Sequence, residues 1–154
     1  LSLKEGQRVE VQDSYRDWLS QWVPEWKQGS MLTIDYGAEV ERLYWRKPRG
    51  SLRAYFSHFR LEGPDVYARM GQQDLTVDVN FTDLRNWGTA LGLKTLEESS
   101  QREFIEKHAA VFLKNSGNDE KLAFLQDADG AGESFRVLVQ ERRVIRLILT
   151  RCRW

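Results

Sequence analysis

The sequence predicts a mixed α/β fold, and three observations carry that prediction. Tyr15, Trp18, Leu19, Trp22, Val23 and Trp26 recur at helical spacing, and a short apolar run, Met31 to Ile34, follows at once. Asp74 to Phe81 alternates polar and apolar residues, which is the period of a strand with one buried face. Ser100 and Glu103 form a capping box ahead of another amphipathic helix, and a strand-like run, Phe135 to Gln140, comes later. Helix leading into strand is the pattern of α/β proteins.

The chain has 154 residues, enough for one domain with a real core. Hydrophobic residues make up 41% and charged residues 30%, the balance of a folded chain and not of a disordered one. Lys plus Arg and Asp plus Glu both number 23, so a general nucleic-acid or membrane-surface role has no electrostatic footprint. No apolar run approaches the length of a membrane span, and the start does not resemble a signal peptide. A single cysteine, Cys152, leaves no internal disulfide framework and no Cys-rich zinc site, and two histidines make a His-based metal site a poor prospect. Because the chain begins at Leu1 and enters strand-like sequence at once, it is expected to be a piece of something longer.

Taken in order, Gln7 to Gln12 alternates and predicts a short strand. Ser14 with Asp17 is a capping-box-like start for the tryptophan helix, which Pro24 should end or kink near Trp22 or Val23. The tryptophan stripe is expected to pack against a sheet. Met31 to Ile34, closed by Gly29 and Gly37, reads as a strand buried on both faces. Asp35 and Tyr36 then fall beyond its carboxyl end, where open α/β sheets place their ligand crevice, although Asp35 could equally cap the following loop. Ala38 to Gly50 is charged and turn-rich and reads as a solvated basic loop. Ser51 to Phe56 alternates as a strand with His58 after it, and Phe59 to Gln73 reads as a loop.

On the strand Asp74 to Phe81, Leu75, Val77, Val79 and Phe81 are expected inside and Asp74, Thr76, Asp78 and Asn80 outside. Thr82 is expected to cap the next helix, which Gly92 closes. Leu93 to Glu98 reads as a further strand, and the helix after Ser100 should run to Asn115 with His108 flanking the core. A weaker helix spans roughly Asp119 to Gln126. Asp127 to Gly130 is similar to a calcium loop, but its glycine comes early and the later acid is misplaced. Val144 to Leu149 is a last strand-like run. No P-loop, nucleophile elbow or H-E-x-x-H is present, and nowhere do the eleven glycines form the G-x-G turn between strand and helix that lets a backbone approach a nucleotide.

Leu32-Thr-Ile-Asp-Tyr-Gly37, Gly50-Ser-Leu-Arg-Ala-Tyr55 with His58, and Gly71-Gln-Gln-Asp-Leu-Thr-Val-Asp-Val-Asn-Phe81 resemble consecutive blocks of the MidA-like methyltransferases. Ser100-Gln-Arg-Glu-Phe104 and Gly132-Glu-Ser-Phe-Arg-Val-Leu138 are similar to later blocks, so the resemblance runs from about Arg8 to Gln140. It implies an S-adenosylmethionine-dependent methyltransferase of the class I, Rossmann-like α/β fold, whose mitochondrial members methylate an arginine of a respiratory complex I subunit. The family's cofactor-binding glycine motif belongs to an amino-terminal half that this chain lacks. The chain would then be the C-terminal half of the sheet. Met31 to Tyr36 would be its fifth strand, Leu93 to Glu98 its sixth and Phe135 to Gln140 its antiparallel seventh, with residues 38–81 an inserted hairpin region on the substrate side.

For a cationic, planar guanidinium, carboxylates and aromatic faces are the fitting partners. Asp35 and Asp74 are the candidate catalytic residues; Tyr36 is a candidate for stacking, and His58, Gln73 and Arg53 are candidates for substrate binding. The implied partners are a protein substrate and the enzyme's own amino-terminal half, with no nucleic acid and no membrane. The implied compartment is the bacterial cytoplasm, or the mitochondrial matrix in a eukaryote. The unpaired edge of the fifth strand invites self-association into a homo-oligomer. The competing reading is a non-enzymatic assembly module that grips a partner protein through its tryptophans and hairpin.

Overall fold

The computed structural model describes residues 4–115 and 120–143. Helix α1, Asp13–Trp22, begins after Gln12 without a side-chain cap, and Ser14 lies inside its first turn instead of at the cap. Gln12 is used elsewhere. Its amide donates to the Asp78 carbonyl at 3.2 Å and accepts from the Asn80 N–H at 3.4 Å, tying the helix start to a distant segment. Pro24 cannot continue the helix, and the chain tightens into a 3-10 turn over Val23–Glu25, as expected. The rings of Tyr15, Trp18, Trp22 and Trp26 form a ladder with centroids 5.2 to 5.4 Å apart. Trp22 and Trp26 pack on the core as anticipated, whereas Trp18 is 49% exposed.

Strand β1, Gly29–Ala38, runs antiparallel to β7, Phe135–Arg142, and β7 runs antiparallel to β6, Lys94–Ser100. These three strands lie side by side with the seventh between the others, the expected order. A short strand β5, Val79–Asn80, pairs in parallel with Gly37 and Ala38 at the far side of β1. From Gly29 to Tyr36 that side of β1 has no partner strand among the described residues. The prediction of a strand buried on both faces is therefore corrected. Leu32, Ile34 and Tyr36, which share one face, are 51%, 43% and 46% exposed.

The opposite face of this sheet carries the core. Leu19 and Val23 meet Phe81, Leu84, Leu93 and Leu138, all essentially buried, with Met31, Val79 and Trp87 around them. Burying such side chains stabilises the fold by roughly 1.5–3 kcal/mol each. Helix α3, Phe81–Ala90, lies directly on this sheet face because Gly88 leaves room for the buried amide of Gln140. That amide donates to the Arg85 carbonyl at 3.2 Å and to Thr95 Oγ1 at 3.3 Å. Its cap is Asn80, whose side chain accepts from the Asp83 N–H, while Thr82 instead accepts from the Val40 N–H at 3.0 Å. The capping box at Ser100 and Glu103 forms as predicted, starting α4, Gln101–His108. This helix stops at Ala109, and α5, Ala110–Asn115, continues beyond it. Helices α6, Glu120–Gln126, and α7, Ala131–Ser134, complete a cluster against β6 and β7.

Four further readings are corrected. Gln7 to Gln12 forms no strand and makes one isolated bridge, Arg8 to Arg49. The stretch read as a basic loop contains helix α2, Val40–Arg46, whose Val40, Leu43 and Tyr44 already stood at helical spacing beneath the charges. The stretch Phe59 to Gln73 holds strand β3, Phe59–Leu61, and a 3-10 turn over Gly63–Tyr67. The alternating run Asp74 to Phe81 breaks into β4, Asp74–Thr76, and β5. In it Asp78 turns inward and Leu75 stays 57% exposed, because charge pairing at Asp78 overrides the period. Strand β2, Arg53–Phe56, joins β3 and β4 into a second antiparallel sheet in the order β3-β2-β4. The run Val144 to Leu149 lies outside the described residues.

At Gly37 a Cβ would overlap the Val79 carbonyl oxygen, and that backbone cannot swing aside while β5 pairs with β1. Gly37→Ala is expected to destabilise the protein by about 1–3 kcal/mol, the usual cost of overpacking. A denaturant titration of the variant checks it.

Candidate functional site

Beyond the carboxyl end of β1 lies a cleft of about 390 Å³. Tyr36, Gly37 and Ala38 form one wall, α2 a second, the β2–β3 hairpin a third, and Glu133, Ser134 and Arg136 close it. Its position follows from the sheet: strand ends in an open α/β sheet expose backbone and side chains that no neighbouring strand covers.

Two carboxylates hold these walls together. Glu10 accepts from the N–H groups of Ser51 at 2.6 Å and Leu52 at 3.1 Å, and it also meets the hydroxyls of Ser51 and Tyr44. The Tyr44 hydroxyl further accepts from the Glu10 N–H at 2.9 Å, so the amino-terminal segment, α2 and the start of β2 are locked as one piece. Gly50 is required beside them, since its φ of 83° and the adjacent Glu10 carboxylate leave no room for a side chain. Asp78, nearly buried, receives Lys47 from α2 and Arg53 from β2, the latter at 2.6 Å, while its N–H donates to Ser51 Oγ at 3.0 Å. Neither Glu10 nor Asp78 stood out in the sequence as a functional residue. No local signal marked them, because their partners lie 25 to 42 residues away in sequence.

The cleft's electrostatics are positive. Arg42, Arg46, Lys47, Arg53, Arg60 and Arg136 line it against two carboxylates, Asp78 and Glu133. The structure gathers some predicted site residues here and not others. Tyr36 and Arg53 line the cleft. The Tyr36 ring lies on Phe135 with centroids 3.9 Å apart, which fixes its position. Asp74 stands directly across from Tyr55, a cleft residue, so the two share one face of the small sheet. Asp35 sits one residue before Tyr36 on the opposite face of β1, and its carboxylate accepts from the Tyr36 N–H at 2.7 Å. Asp35 therefore lies inside the strand, not at its end, and this bond stays within β1 instead of capping the following loop.

His58 and Gln73 are not among the cleft-lining residues. His58 is exposed at the tip of the hairpin, where Ser57 and His58 both take positive φ, as two-residue hairpin turns require. Gln73 donates to the Val66 carbonyl and orders its own loop. His108, expected to flank the core, is exposed and pairs with Glu97 at 2.8 Å. Lys107 and His108 together hold the Glu97 carboxyl below its usual range.

With this geometry in view, the comparisons are direct. Residues 1–99 match the model of a family described as "Putative S-adenosyl-L-methionine-dependent methyltransferase". The chain belongs to this family. No curated protein matches it. Two similar solved structures come from Burkholderia thailandensis, each with a TM-score of 0.72 over 90% of this chain. One is an uncharacterized protein, 22% identical. The other, 24% identical and named a "likely methyl transferase" of the same superfamily, was solved bound to S-adenosyl-homocysteine. At that identity they establish the fold of this family member. The chain covers 41% and 38% of their lengths.

The family's cofactor is S-adenosylmethionine. The cleft residues of this chain do not fit it, because a sulfonium is itself a cation and the walls here are predominantly cationic.

Asp78→Asn leaves Lys47 and Arg53 facing each other without their carboxylate. The expected loss is about 2–3 kcal/mol, below the 3–5 of a fully buried pair because Lys47 is partly in water, and thermal unfolding checks it. The Tyr44 phenol is pushed up to about 12, first by burial and then by the Glu10 charge, against the opposing effect of its backbone bond. The fold favours the neutral phenol, so its contribution is complete below pH 10 and lost as pH rises from 10 through 12. Comparing melts of the protein and Tyr44→Phe across that window should show the advantage of tyrosine disappearing.

Proposed function

We propose that this chain is the acceptor-side, C-terminal half of an S-adenosylmethionine-dependent methyltransferase whose substrate is a protein. The observation that carries the reading is the strand trio β1-β7-β6 with its cleft at the carboxyl end of β1, in a chain belonging to a methyltransferase family and covering about two fifths of its structural neighbours. The unpaired side of β1 supports an amino-terminal half that supplies the next strand and, with it, the cofactor site.

A sulfonium methyl is already reactive, so the protein's task is to align the acceptor and exclude water. This chain's residues suit the acceptor side. Tyr36, held by Phe135, offers a fixed aromatic wall, and the network through Glu10 and Asp78 keeps the opposite wall rigid. The resemblance to MidA-like enzymes favours arginine as the acceptor, and in mitochondrial relatives a complex I subunit as its bearer. A guanidinium would be repelled by Arg42 and Arg46. In this reading Asp74, across from Tyr55, receives it, with Asp35 the second candidate carboxylate. The bacterial cytoplasm or the mitochondrial matrix is the matching compartment.

Calorimetry with S-adenosylmethionine, on this chain alone and on the complete protein, tests the division of labour. Binding by the complete protein alone is expected. Binding by neither would favour the assembly-module reading. In the complete protein, Asp74→Asn should lower methyl transfer about tenfold or more with unchanged cofactor affinity. Equal loss of folding would make Asp74 structural.

A further inference from the structure

The cationic cleft is more than a neutral chain needs for stability. Arg42 and Arg46 lie four residues apart on α2, so both project from one face of the helix into the same concave space. Neither has an ion-pair partner among the described residues. Across from them, Arg136 comes no closer than 3.6 Å to its acid, Glu98, and its buried Nε has no hydrogen-bond partner among the described residues. A buried guanidinium donor left open is costly, so the residues around Arg136 do not fully satisfy its side chain. Lys47 and Arg53 are already fixed by Asp78, so they add positive potential from immobile positions.

We infer that this cleft binds an acidic segment of the acceptor protein, with carboxylates held by Arg42, Arg46 and Arg136. The inference rests on the protein-acceptor reading above and adds to it a recognition element separate from the methylated residue. Guanidinium forks grip carboxylates in bidentate pairs, beside the fixed positive charges of Lys47 and Arg53. The cleft's volume of about 390 Å³ suits one or two side chains better than a strand of nucleic acid, whose backbone needs a long basic track. The zero net charge of the chain points the same way.

Fluorescence anisotropy of the complete protein with labelled hexaglutamate, at about 0.15 M salt, tests it. Hexaglutamate should bind and hexaglutamine should not. Arg42→Gln with Arg46→Gln, both exposed side chains, should weaken hexaglutamate about tenfold or more, and lysines at the two positions should restore part of the loss. Unchanged affinity in the glutamine variant overturns the proposal. So does an oligouridylate that binds more tightly than hexaglutamate and is lost in the same variant, or a small dicarboxylate that binds as well as the peptide. S-adenosyl-homocysteine calorimetry on the same samples keeps the two readings apart. If the unaltered protein does not bind it, the methyltransferase reading fails, while the peptide result still judges the cleft.

Discussion

The pairing of Asp78 with Lys47 and Arg53 is the interaction on which the cleft depends. One nearly buried carboxylate draws a lysine from α2 and an arginine from β2, and its own backbone bonds Ser51, which Glu10 holds in turn. The main sheet and the small sheet share no strand, so this polar chain does much of the work of keeping them in register. A buried ion pair adds little stability compared with apolar packing, but it fixes where its members stand. Here it fixes two walls of a site, α2 and the β2–β3 hairpin.

That arrangement also explains the break in the strand from Asp74 to Phe81. A regular alternation would send Asp78 to solvent and Val77 and Val79 inward together. Instead the chain kinks between β4 and β5. The two pieces then serve different sheets: β4 pairs with β2, and β5 pairs with the end of β1. One segment thereby ties the core sheet to the small sheet beside the cleft.

The exposed face of β1 has a different origin. Leu32, Ile34 and Tyr36 are the residues of a central strand, and they read as such from sequence. Periodicity reports what a residue is suited to bury against, whether or not that partner belongs to the same segment of chain. Among the described residues this face keeps Leu32, Ile34 and Tyr36 at 43–51% exposure. The same reasoning accounts for the missed helix at Val40–Arg46. There the apolar spacing was present, but exposed charges around it outweighed the signal.

Local chemistry was legible in the sequence. The stop at Pro24, the capping box at Ser100 and the three principal strands all follow from short stretches, because proline, caps and alternation act within a few residues. What required the tertiary structure was everything set by long-range pairing. Asp78 faces inward, Glu10 joins segments some forty residues apart, His58 sits at a hairpin tip, and six scattered cations converge on one cleft. Charges attract across space without regard to sequence distance, so a chain with no net charge can still enclose a strongly positive site.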